Sequence, residues 1–126
     1  MWSKYHVSAK EARTYDGIVF DSKAEMEYYQ EVVLQKYHTG EIVRFELQKP
    51  FVLQPSFRRN GKAVRAITYV CDFYLIYKEG RTEVIDVKGM ATTEALLKRK
   101  MFWYKYPDEN LIWVMKKGKN WTVYPR

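Results

Sequence analysis

The stretch TEVIDVKG, residues 82–89, decides how the rest of the chain is read. It alternates as a strand does: Val84, Asp86 and Lys88 fall on one face, Ile85 and Val87 on the other. A strand flanked by apolar residues belongs inside a protein, yet this one sets Asp86 and Lys88 side by side. Burying a charge costs several kcal/mol unless it is paired or bound to something. The pair therefore needs an explanation.

The partner strand supplies part of it. AVRAITYVCDFYLIY, residues 63–77, reads as one long strand rich in β-branched and aromatic residues. Lys78-Glu79-Gly80 then suits a three-residue loop with Gly80 at the left-handed position of a bulge. That register sets Tyr77 opposite Arg81 and Asp72 opposite Asp86. A loop one residue shorter or longer would put the two aspartates on opposite faces. Two carboxylates facing each other repel. They are tolerable in a half-buried sheet only if one is protonated or a cation lies between them. A divalent metal on Asp72 and Asp86 answers best, and Mg²⁺ binds through one or two protein carboxylates while keeping several waters.

Glu25 is the third candidate. FDSKAEMEYYQEVVLQKYHTGEI reads as a helix with Ser22 as N-cap and Gly40 as its stop. Glu25 shares a face with Tyr29, Val32, Val33 and Lys36, the face expected to pack on the sheet. Glu27 and Glu31 point elsewhere and read as solvated. Glu25 is thus expected to reach the carboxylates from above the sheet, or simply to complete a capping box with Ser22.

Around these residues the chain organises simply. Residues 1–16 read as a polar arm and 17–126 as a single domain. IVRFELQKPFVLQPSF reads as extended, interrupted by Pro50 and Pro55, which suggests an edge strand or bent strands. Asn60-Gly61 marks a hairpin turn. TTEALLKRKMFWYKY reads as a second helix closed by Pro107, with Leu96, Leu97, Met101 and Tyr104 as its core stripe. NLIWVMKK and NWTVYP read as strands joined at Gly118. The strand at 82–88 returns to that at 111–116 through a helix, which favours a parallel pair. The fold class expected is α/β, a mixed sheet with helices packed on it.

Composition narrows the function. The 126 residues are 47% hydrophobic and 17% aromatic, which argues for one folded domain rather than disorder. No apolar run approaches the ~18 residues of a membrane span. The single cysteine, Cys71, forms no internal disulfide and is expected to be buried and inert; no Cys/His metal spacing occurs, and neither His6 nor His38 is assigned any chemistry. A cytoplasmic protein is the default. The formal charge of +7 suits nucleic acid and also mere solubility.

The quoted residues also carry a resemblance. FDSKAEMEYY, ELQKPFVLQPSF, RAITYVCDF, IDVKG and LLKRKMFWYKYPD resemble a small family of phage and prophage proteins assigned to the PD-(D/E)XK nuclease superfamily, with relatives among Holliday-junction resolvases. The likeness covers about residues 16–116, and Cys71 stands where the Pro-Asp element has proline. It implies a restriction-endonuclease-like αβββαβ core and a Mg²⁺-dependent endonuclease of a bacterial host's cytoplasm, with Mn²⁺ as a substitute. Asp72, Asp86 and the Val87 carbonyl would hold the metal. Glu25 would bind a second metal or position a water. Lys88 would orient or deprotonate that water, or clamp the phosphate.

DNA binding would fall to Arg58, Arg59, Lys62 and Arg65 at the hairpin, and to Lys98, Arg99 and Lys100 on the second helix. Each group also has a plainer reading, as a solvated loop or the polar face of an amphipathic helix. Nothing suggests base readout, so structure-selective recognition of branched or junction DNA is expected, with a homodimer if cuts are paired. A non-catalytic DNA-binding protein of the same fold and a phage assembly factor are the alternatives.

Overall fold

The computed structural model describes residues 9–125; residues 1–8 of the expected arm, His6 included, lie outside the described residues. Described residues of that arm are built into the fold. A 3-10 turn (Lys10–Arg13) leads into β1 (Thr14–Tyr15), which pairs antiparallel with β2 (Ile18–Val19). Asp16 and Gly17 form the turn between them, both at positive φ (54° and 74°), as a two-residue hairpin requires.

The first helix starts and stops as its sequence dictates. The Ser22 hydroxyl accepts the Glu25 N–H (3.1 Å), α1 spans Lys23–Tyr28, and the segment ends at Thr39 before Gly40 at φ 86°. It is not one regular helix. A π turn (Tyr29–Val33) intervenes before α2 (Leu34–His38), with Leu34 N–H bonded to the Tyr29 carbonyl five residues back. Two successive bulky tyrosines are thereby buried: Tyr28 against Phe73 and Trp121, Tyr29 against Phe20, Phe45 and Phe73.

The strands follow as β3 (Ile42–Leu47), β4 (Pro50–Gln54), β5 (Phe57–Arg59), β6 (Lys62–Val64), β7 (Ile67–Val70), β8 (Phe73–Tyr77) and β9 (Thr82–Val87). The helix α3 (Thr93–Lys105), β10 (Leu111–Lys117) and β11 (Asn120–Val123) complete the chain. The class is α/β as expected: a mixed five-stranded sheet ordered β11-β10-β9-β8-β3. Strands β9 and β10, joined through α3, are parallel, and the other neighbours are antiparallel. β3 and β11 are the two edge strands, and the β3 edge suits its proximity to Pro50.

One expected strand is three. The run 63–77 breaks at 65–66 and again at 71–72, so β7 leaves the main sheet and pairs with β4 in a separate ribbon. The second break also exchanges faces. Tyr69 and Cys71 join Val84, Phe51, Leu53 and Phe102 in one core. Phe73 and Leu75 join Tyr28, Tyr29, Val33 and Ile85 in the other. The α1 segment thus covers one side of the sheet, and α3 with the β4–β7 ribbon covers the other. Among the described residues no helix is long and apolar enough to cross a membrane.

The core stripe expected on α3 is corrected. Phe102 is the fully buried residue, packed on Phe51, Tyr69 and Tyr106, with Met101 partly buried beside it. Leu96 is 38%, Leu97 59% and Tyr104 90% exposed, so none of the three belongs to the core.

Candidate functional site

The register read from Gly80 holds. Gly80 takes φ 93°, Tyr77 N–H donates to the Arg81 carbonyl (2.8 Å), and the ladder pairs Phe73 with Ile85 and Ile76 with Thr82. Asp72 therefore meets Asp86 just beyond the end of β8. Asp72 N–H donates to Asp86 Oδ1 (2.9 Å) and to the Ile85 carbonyl (3.1 Å). In return, Asp72 Oδ2 accepts the Val87 N–H (2.8 Å). The two aspartates are locked to each other's strands through backbone donors.

The Val87 carbonyl faces the same place. Val84 and Lys88 send their N–H groups to β10, onto the carbonyls of Asn110 (2.9 Å) and Val114 (2.8 Å). Peptide groups alternate in direction along a strand, so those of Ile85 and Val87 face the β8 side. The Val87 carbonyl thus lies on the edge that carries the Asp72 carboxylate.

Two clefts open from this point. The first is lined by Asp21, Glu25, Gln48 and Asp72, under the β1–β2 hairpin. Gln48, held at φ 55°, donates its N–H to the Asp72 carbonyl (3.1 Å) and its side-chain amide lies 3.5 Å from Asp72 Oδ1. The second cleft is lined by Asp86, Lys88, Thr92 and Lys98, with Tyr69 at its base. Tyr69 donates its hydroxyl proton to Asp86 Oδ2, and accepts the indole N–H of Trp113 (2.7 Å). Glu25 and Asp72 thus share one cleft, Asp86 and Lys88 the other, and the Asp72–Asp86 contact joins them.

Burial makes this an electrostatically loaded site. Glu25 is 8% exposed and Asp86 only 2%. Burial, then the charges of Asp72, Asp21 and Asp86, push the Glu25 carboxyl up to about 8, against a smaller opposing pull from the Ser22 side chain. Burial lifts Asp72 to about 6, opposed by the Val87 N–H and by Lys88. Burial likewise lifts Asp86 to about 6, opposed by Lys88 and the Asp72 N–H. Three acids held near neutrality around one strand end form a site whose repulsion a bound cation would relieve.

Oxygen donors of this kind suit a hard divalent ion. Among the described residues, however, no three acidic, His or Cys side chains converge tightly enough to form a closed cage. The fit to Mg²⁺ is one of donor chemistry and charge.

The basic residues scatter. Arg58, Arg59 and Lys62 lie exposed on the β5–β6 hairpin, which turns at Asn60 and Gly61 (φ 50° and 77°) and among the described residues pairs with no other strand; Arg65 follows it, also exposed. On α3, three successive residues face three ways. Lys98 reaches the Asp86–Lys88 cleft and pairs with Glu94 (3.3 Å). Arg99 packs on the rings of Trp113 and Trp103, and Lys100 is exposed beside Leu53 and Tyr104. Glu31 is exposed, as expected, and Glu27 is half-buried rather than solvated; both pair with Lys116 (3.0 and 3.3 Å). Cys71 is fully buried and its thiol is pushed up to about 12, chiefly by burial, which leaves it inert.

The model of the family described as "Protein of unknown function (DUF1064)" matches residues 2–122. The chain belongs to that family. Among curated proteins the sequence finds no match. The family description carries no activity, so the site geometry has to carry the functional argument.

Sequence reasoning missed Asp21, Tyr69 and Trp113. Asp21 precedes the N-cap in FDSKAE, and only the placement of the β1–β2 hairpin brings it beside Glu25. Tyr69 sits three residues before Asp72, which in one continuous strand would aim it at the opposite face. The break at 71–72 reverses that.

Proposed function

We propose that the protein is a metal-dependent DNA endonuclease, an enzyme that hydrolyses phosphodiester bonds in structured DNA such as branches or junctions. The observation that carries this reading is the meeting of half-buried Asp72 and buried Asp86 across the β8–β9 hairpin, both carboxyls raised to about 6, with Glu25 in one adjoining cleft and Lys88 in the other. The order helix, β3, β8, β9, helix, β10, with hairpins inserted after β3, supports the αβββαβ core of the PD-(D/E)XK resemblance.

Asp72, Asp86 and the Val87 carbonyl would hold Mg²⁺, or Mn²⁺ in its place, and Glu25 would reach it from the first cleft. Bound there, the ion would acidify a water and offset the charge that grows on the phosphate. The chain's own residues do the rest. The Lys88 ammonium lies over the Trp113 ring, 4.7 Å from its centroid, and the residue lines the Asp86 cleft. From there it clamps a phosphate oxygen or orients the attacking water. Glu25, with a carboxyl near 8, keeps its proton at neutral pH in the metal-free protein, and a cation bound beside it would favour the carboxylate, the form that positions a water. Lys98 adds a second cation on the phosphate path.

The test is cleavage of labelled four-way junction, forked, blunt duplex and single-stranded DNA, each with Mg²⁺, Mn²⁺ or EDTA. Metal-dependent cutting that Asp86→Ala abolishes is the expected result. Salt-dependent binding without cutting under any metal would leave a structure-selective DNA-binding protein instead, and no DNA binding at all would leave an assembly factor.

A further inference from the structure

A groove of about 330 Å³ lies between α3 and the β10–β11 hairpin, lined by Arg99, Trp103, Trp113, Val123 and Tyr124 among others. Its size falls within the ~300–1,000 Å³ of ligand clefts. Two features set it apart from an ordinary apolar crease.

The first is Arg99. Its guanidinium carbon lies 4.1 Å from the Trp113 ring centroid and 4.7 Å from that of Trp103. Among the described residues it pairs with no carboxylate, and its Nε is buried without an acceptor. The Nε lies too deep for a ligand, but a guanidinium fixed by two indoles and paired with no carboxylate among the described residues keeps its terminal N–H groups for a ligand that brings an acceptor. The second feature is an aromatic platform. Trp103 is 50% exposed and Val123 68% exposed, so the groove presents ring surface to solvent.

The groove adjoins the candidate site through a single ring. Trp113 carries Arg99 on the groove side, takes Lys88 at 4.7 Å, and donates to Tyr69, which holds Asp86. Lys98, next to Arg99 on α3, lines the Asp86 cleft. A ligand that satisfies these surroundings is anionic at one end and flat and aromatic at the other. That is a nucleotide.

We infer that the groove receives an unpaired nucleobase of DNA bound at the Asp86–Lys88 cleft, stacked on Trp103, with a phosphate of the same strand on Arg99. This rests on the nuclease reading and deepens it. Bases inside a duplex present no free ring face, so only a base in a tail, flap, gap or junction can enter. The preferred substrate then carries single-stranded nucleotides next to the cut.

Binding is measured in an Asp86→Asn background, which is expected not to cut, using a blunt duplex and the same duplex with a short single-stranded tail. The tail carries 2-aminopurine at its first unpaired position, so stacking on an indole reads out as quenching. The tailed DNA should bind about tenfold more tightly, with its 2-aminopurine quenched. Trp103→Ala should remove the preference and the quenching while leaving blunt-duplex affinity unchanged; Trp103→Phe should retain part of both. Arg99→Gln should weaken the tailed DNA more than the blunt. Equal affinity for the two DNAs, an unquenched base, or equal weakening of both by Trp103→Ala would overturn the inference. The quenching arm needs no groove variant, so it decides even if Trp103→Ala fails to fold. A tail preference in a protein that cuts nothing with any metal would sink the nuclease and keep the groove. Cutting of blunt and tailed DNA at the same rate, unaffected by Trp103→Ala, would sink the groove and keep the nuclease.

Discussion

Two hairpins in this molecule carry charges, and they carry them in opposite ways. The β5–β6 hairpin turns at Asn60-Gly61 and displays Arg58, Arg59 and Lys62 to solvent, pairing with no other strand among the described residues. The β8–β9 hairpin turns at Gly80 and lies in the middle of the sheet, packed on both faces, with Asp86 2% exposed. Solvated charges cost little and so reveal little about what they are for. A buried carboxylate disfavours folding unless something compensates it, so its presence demands a purpose. The exposed cations are consistent with DNA, while the inward-facing acids already draw on Tyr69 and backbone N–H groups and keep a mutual repulsion that a cation would relieve.

The sharpest way to break this contrast is to neutralise one of the inward-facing acids. Asp72→Asn keeps the size of the side chain and can still accept the Val87 N–H, but removes the charge proposed to hold the metal. Cleavage should fall by more than about a hundredfold, since losing even an outer partner of a metal ligand costs about 10- to 100-fold. The thermal midpoint in EDTA should not fall, because the substitution removes a charge that burial already disfavours. Loss of activity together with loss of stability would mean that Asp72 is a structural residue.

The next test reaches a residue that no reading of the strand pattern would choose. Tyr69→Phe removes the hydroxyl that holds Asp86 Oδ2 and leaves Trp113 N–H without its acceptor. Metal affinity, followed by Mn²⁺ titration, should fall about 10- to 100-fold. An unchanged titration would show that Asp86 needs no such support.

That Tyr69 emerges only in three dimensions shows where sequence pattern stops being informative. Local chemistry makes the register legible: Gly80 admits one loop, and that loop admits one pairing of Asp72 with Asp86. The Ser22 cap, the Gly40 stop and the parallel β9–β10 pair are legible for the same reason, each depending on residues close in sequence or on one short crossover. The break at 71–72 is not, because Asp72 stands there without a Gly, Pro or Asn beside it and the apolar run continues on either side. What bends the chain is the β4–β7 ribbon, whose Lys49 carbonyl takes the Cys71 N–H (3.0 Å). The face of α3 escapes for a related reason. Apolar residues line more than one side of it, and the one chosen depends on Phe102 finding Phe51 and Tyr69. Asp16-Gly17, by contrast, is a hairpin signal in its own right, but its flanking strands are only two residues long and leave no alternation to read.

A smaller effect is expected from Glu25→Gln, read as stability against pH without metal. The folded state holds the Glu25 proton up to about 8, against 4.5 for an ordinary glutamate. Between those limits the folded protein binds more protons than the unfolded one, so raising the pH costs wild-type stability. The variant has no such proton. The wild-type thermal midpoint should therefore fall relative to that of Glu25→Gln as pH rises from about 4.5 to about 8, and stay level beyond. Added Mg²⁺ should narrow the gap at the alkaline end. A difference that does not vary with pH would mean that Glu25 titrates normally and is not pressed by Asp72, Asp21 and Asp86.

The smallest effect on the protein itself should come from the exposed hairpin, and it completes the contrast. Replacing Arg58, Arg59 and Lys62 together by alanine touches no core residue and should move stability by no more than about 0.5 kcal/mol for each site. Arg58 does donate to the Gly61 carbonyl, but that bond lies in the turn and is open to water. If the tip braces a DNA backbone, the dependence of log affinity on log salt should become shallower by about 0.9 for each phosphate that the tip neutralises, while the rate of cutting at saturating DNA stays unchanged. An unchanged salt slope would return those three cations to solubility alone, and the functional argument would then rest wholly on the buried acids and the clefts beside them.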